Sequence, residues 1–93
     1  EDVVFLRADS KYVEVWHVGG MALTEESLRA IEDRLPGLFL RVHRNALVAA
    51  QRMRALHKLA DGQLSLHLDG TEEPVEVSRR HAAEVRRQLR GGD

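Results

Sequence analysis

The chain has 93 residues, a net charge of −1, 43% apolar and 31% charged residues, and no cysteine. That length holds one domain with a modest core, because a chain of this size buries little more than ~60% of its unfolded surface. The lack of cysteine excludes a disulfide framework and a cysteine-bound zinc and fits a reducing compartment, and no apolar run nears the ~20 residues of a membrane span.

No signal-peptide pattern opens the chain. It begins at Glu1 rather than Met, which points to a piece of something longer. Val3–Leu6 predicts a short strand, and Ala8-Asp9-Ser10-Lys11 a turn. Tyr12–Val18, rich in Val, Tyr and Trp, predicts a second strand. Gly19-Gly20 supplies a hairpin turn, and Met21–Leu23 returns as the partner strand. At Thr24 the period changes. Thr24 is the expected N-cap, Glu25 and Glu26 suit a first helical turn, and Leu28, Ile31 and Leu35 form one apolar stripe. Pro36-Gly37 ends this helix after about three turns.

The next stretch, Phe39–Ala50, reads FLRVHRNALVAA. Leu38–Val42 and Ala46–Ala50 are strand-like, but His43, Arg44 and Asn45 are polar in succession. A strand alternates faces, so three consecutive polar side chains cannot share one face. The step is expected to form a bulge or tight bend that projects its side chains. Asn45 also suits a turn position with left-handed backbone.

Met53–Leu59 mixes apolar and basic residues and predicts a strand. Asp61-Gly62 marks a hairpin, after which Leu64, Leu66 and Leu68 alternate with Gln63, Ser65 and His67 as a half-buried strand. Asp69-Gly70 turns the chain, and Pro74–Val77 makes a last short strand. Ser78 is the expected cap of a final helix with Ala82, Val85 and Leu89 on its apolar face. The sum is a mainly β fold, one domain across residues 1–93, with one internal and one C-terminal helix.

Charge is segregated along the chain. Arg41, Arg44, Arg52, Arg54 and Lys58 have no acid among them, and Arg79, Arg80, Arg86, Arg87 and Arg90 face only Glu84. Acids collect at Glu25–Asp33 and Asp69–Glu76. A bipolar molecule of this kind could meet a polyanion, but on charge alone solvated faces of ordinary elements are the better reading.

No catalytic set is legible. The histidines at 17, 43, 57, 67 and 81 form no i, i+4 helical pair, and no glycine-rich phosphate loop or nucleophile–base spacing occurs. The sequence therefore predicts no enzyme, no cofactor and no metal site. A small β module that pairs an edge strand with another protein, without DNA binding, is the alternative reading. Its four aromatics, Phe5, Tyr12, Trp16 and Phe39, read mostly as core. Nucleic-acid binding has more specific support. Arg and Asn are the side chains that read guanine and adenine edges bidentately. Ser78-Arg79-Arg80, between a strand and a helix start, offers a hydroxyl, backbone N–H groups and two guanidiniums to phosphates and bases.

In order, the segments FLRADSKYVEV, FLRVHRNALV and VEVSRRH, with a Ser-Leu helix between the first two, resemble the LytTR DNA-binding domain of bacterial response regulators. The likeness runs from about Val3 to Leu89 and points to the group containing the alginate-biosynthesis regulator. The resemblance implies an elongated fold of short antiparallel sheets. It implies the output domain of a cytoplasmic two-component transcriptional regulator, with an N-terminal receiver domain in the full-length protein. Loops would enter successive major grooves of double-stranded DNA at paired direct repeats, with dimerisation on the DNA and no membrane partner.

By the same resemblance, contacts fall on the first turn (Ser10, Lys11, Tyr12), on His43, Arg44 and Asn45, and on Ser78, Arg79 and Arg80. Base reading is expected of Arg44 and Arg79, and phosphate anchoring of Lys11, Arg52 and Arg54. The family pattern usually has one more strand before Val3. Its absence here predicts an exposed sheet edge at that strand.

Overall fold

Val4, Phe5 and Leu6 are buried in succession, so the strand that carries them is covered on both faces. In the computed structural model, which describes residues 2–91, this strand is β1 (Val3–Ala8). It is joined by β2 (Val13–His17), β3 (Gly20–Thr24), β4 (Phe39–His43) and β5 (Ala46–Ala49) in one antiparallel sheet of order β3-β2-β1-β5-β4. The expected open edge at β1 is therefore wrong. β5 fills it, with Phe5 opposite Val48, Leu6 opposite Leu47 and Arg7 opposite Ala46. The edge strands are β4 and β3, and on β3 Met21 and Leu23 are exposed.

A single 3-10 turn, Ala50–Arg52, leads into a second sheet. It consists of β6 (Met53–Lys58), β7 (Leu64–Leu68) and β8 (Val75–Val77) in that order, all antiparallel. Leu64, Leu66 and Leu68 are buried and His67 stays outside, but Ser65 is buried as well, so this strand is covered on both faces there rather than half-buried. Helix α2 (Arg79–Leu89) packs Ala82 and Val85 into the core. The main core lies between Val4, Phe5, Val42 and Val48 of the first sheet and Leu66, Leu68, Val75, Val77 and Val85 opposite. The expected elongation is absent, since the extents are 32 × 30 × 25 Å. The second sheet folds back on the first, and the Ser78 N–H is bonded to the Val42 carbonyl at 2.9 Å.

Helix α1 (Leu28–Arg34) covers the other face of the first sheet. Leu28 and Ile31 pack with Leu6, Val13 and Leu47. The helix starts later than Thr24 predicted and is only seven residues long. Thr24 remains paired with Val13, and its hydroxyl accepts the Glu26 N–H in a turn. The cap is Ser27, whose hydroxyl accepts the Ala30 N–H at 3.0 Å. A helix this short is not stable alone. Burial of Leu28 and Ile31, at ~1.5–3 kcal/mol each, holds it in place.

Candidate nucleic-acid interface

Three loops meet at one end of the molecule. The β1–β2 turn is closed by the Asp9 N–H on the Tyr12 carbonyl, and the Ala8 N–H beside it donates to the Asn45 carbonyl at 2.8 Å. The β4–β5 turn thus lies against the β1–β2 turn. The Ser78 bond to Val42 brings the start of α2 to the same end of β4. Lys11, Tyr12, Arg44, Asn45, Arg79 and Arg80 are all exposed there. Tyr12, expected in the core, is 42% exposed because Val13, not Tyr12, begins the paired strand.

The FLRVHRNALVAA stretch is a hairpin. Arg44 and Asn45 form its turn, His43 pairs with Ala46, and a bulge falls between Arg41 and His43. The polar step therefore does form a tight bend, but its three side chains do not all project. The ring of His43 folds back, and its Nδ1 accepts the Asn45 N–H at 3.2 Å. Its Nε2 lies 3.9 Å from Glu76 of β8. Asn45 has negative φ like every other described non-glycine residue, so the left-handed turn reading does not hold. Arg41 donates to the Arg44 carbonyl at 2.8 Å and to Glu32 of α1 at 2.8 Å. The turn is thus tied by three bonds to its backbone. Among the described residues, the Arg44 and Asn45 side chains themselves make no hydrogen bond or ion pair.

At the start of α2, Ser78 holds the N-cap position but makes no side-chain cap bond. Its hydroxyl is 2.7 Å from His81 Nδ1. Burial holds the His81 pKa below its ordinary value. The charges of Arg80, Arg41 and His43 add to this effect, and Glu32 opposes it. The ring is therefore mainly neutral at pH 7 and hydrogen-bonds the Ser78 hydroxyl through Nδ1. Arg79 and Arg80 diverge by the helical phase. Arg79 shares a surface depression with Asp61 and Glu76 beside the β6–β7 turn. Arg79 also borders a second depression with Lys58 and Arg86, so carboxylates and cations both flank it. Arg80 adds its charge to the His81 cluster.

Arg52 and Arg54 are not brought to this end. They lie where β5 passes into β6, at the opposite pole of the first sheet. There Arg52 donates to the Asp69 carbonyl at 3.3 Å, and Arg54 pairs with the Asp69 carboxylate at 3.3 Å. Arg41 is legible as one of the four polar residues that interrupt the Phe39–Ala50 stretch, whereas nothing in the spacing marks Glu32 and His81, which shape the loop end with it.

The LytTr DNA-binding domain family model matches residues 1–90. The positive alginate biosynthesis regulatory protein of Pseudomonas aeruginosa is 46% identical over 90 residues, 96% of this chain and 36% of that protein. The CO-responsive transcriptional regulator RcoM of Rhodospirillum rubrum is 34% identical over 85 residues, 90% of this chain and again 36% of its own length. The chain thus spans just over a third of each regulator. Among solved structures, a LytTr DNA-binding domain of a response regulator from Bacillus cereus superposes with a TM-score of 0.79 at 28% identity. The match covers 95% of this chain and 81% of that one.

Proposed function

The chain belongs to the LytTR family of DNA-binding domains, and from that premise we propose how it reads DNA. The loop end is the contact surface. Arg44 and Arg79 reach base edges in the major groove, with Asn45 beside them, while Lys11, Tyr12, Arg80 and the Ser78 junction meet the backbone. His43 acts from behind the turn. Arg52 and Arg54, engaged with Asp69 at the far pole, stand outside this contact set.

The observation that carries this reading is the Arg44 turn. Its backbone is tied at three points, while its guanidinium has no partner among the described residues. A turn held in this way loses little backbone freedom on binding. The full-length protein would be a two-component transcriptional regulator of the bacterial cytoplasm. Its receiver domain would precede this output domain, and two copies would sit together on direct repeats. The domain itself performs no chemistry. Among the described residues no helix is long and apolar enough to cross a membrane.

Selection from random duplexes by the purified chain tests the reading. Enrichment of a short motif in direct repeat is the expected result. No enrichment, together with no salt-dependent DNA binding, would replace this reading with that of a protein-interaction module.

A further inference from the structure

Arg41 uses both prongs of its guanidinium. Nη1 bonds the Arg44 carbonyl, and Nη2 bonds Glu32 Oε1, each at 2.8 Å. Glu32 sits on α1, one residue after buried Ile31. A continuous path therefore runs from the α1 core through Glu32 and Arg41 to the backbone of the turn that carries Arg44. The side chains of Arg41 and Glu32 are 24% and 35% exposed. Partly exposed pairs of this kind contribute only ~0–1 kcal/mol to stability. Folding is thus a weak reason for this arrangement. Fixing a carbonyl in space is a stronger one, because a planar fork holds two acceptors in one geometry where an ammonium would not.

We propose that Arg41 and Glu32 are positioning residues for DNA recognition: the pair ties helix α1 to the reading turn and sets sequence specificity without touching DNA. The proposal rests on the reading of Arg44 as a base contact. A base edge demands an angle and a distance, whereas a phosphate accepts a cation from many directions. A loosened turn therefore loses specific affinity and keeps non-specific affinity.

The test is a double-mutant cycle on the 93-residue chain. Fluorescence anisotropy would compare a duplex selected by the chain itself with a scrambled duplex of equal length. Arg41→Lys and Glu32→Gln should each weaken the selected duplex about tenfold and the scrambled one less than about twofold. On an Arg44→Ala background neither change should cost more. Additive losses would overturn the proposal while leaving Arg44 as a base reader. Equal losses on both duplexes, with a salt slope lower by about one, would overturn it in favour of a direct phosphate contact by Arg41. If Arg44→Ala left the selected duplex unaffected, the base-reading assignment and this proposal would fall together. Glu32→Gln retains the Arg41 charge, so the test stands even if Arg41→Lys folds poorly.

Discussion

The Ser78 hydroxyl and His81 Nδ1 lie 2.7 Å apart where β8 passes into α2. A serine at this position ordinarily accepts a backbone N–H from the first helical turn. Here it hydrogen-bonds instead to a ring that burial and the neighbouring charges of Arg80, Arg41 and His43 keep neutral, against the pull of Glu32. Folding thus favours the uncharged form of His81.

The sign of the pH dependence follows. The folded pKa is below the unfolded value of 6.5, so the unfolded chain binds more protons in between. The stabilisation is complete above 6.5 and is lost as pH falls through the folded pKa. Urea unfolding at about pH 7.5 and about pH 5.5 should show lower stability in acid. His81→Asn should reduce that difference. An unchanged difference would remove His81 as its source.

Arg44→Ala and Arg79→Ala should each weaken a selected site by ~1–3 kcal/mol, scrambled DNA much less, and leave the melting temperature nearly unchanged. Arg80→Ala should cost less on the selected site. Anisotropy titrations of the three variants rank them directly. A larger loss for Arg80 would overturn the sequence-based choice.

The poles of the molecule can be separated by salt. Lys11→Ala should lower the slope of log affinity against log salt by about one, whereas Arg54→Ala should leave it nearly unchanged. A drop in slope for Arg54→Ala would mean that DNA reaches the Asp69 end as well.

Strand existence and type were largely legible in the sequence, because alternation and turn residues are local properties. The central position of β1 was not, since its pairing with β5 depends on residues about forty positions away. Thr24, Glu25 and Glu26 imitate a helix start, yet the ladder to Val13 keeps Thr24 in the sheet. His43 was expected to project with Arg44. A ring nitrogen that can accept the next turn's N–H folds it back instead. Spacing alone does not rank Arg79 and Arg80, because both open α2 and both are exposed.

The position of the α1 cap is testable by itself. Ser27→Ala should cost ~1 kcal/mol of stability, read by denaturant unfolding, and Thr24→Ala clearly less. The reverse order would return the cap to Thr24.

Gly70 locks the two sheets together. It has φ +102°, and an added Cβ would stand 2.8 Å from Arg52 Nη1, 3.1 Å from Val4 and 3.3 Å from Val18. Gly70→Ala should therefore destabilise the fold by ~1–3 kcal/mol, read as a lower urea midpoint. Retention of the wild-type midpoint would mean that Arg52 and the backbone yield freely.

Two of the reading tips belong to local hairpins, β1–β2 and β4–β5, and such hairpins form within microseconds of their residues being available. Only the β1–β5 ladder sets those tips side by side, and closure across so long a span is slow. A newly made chain thus owns its exposed cations before it owns their spacing. Sequence recognition by the proposed contact set therefore waits on the docking of Leu47 beside Leu6.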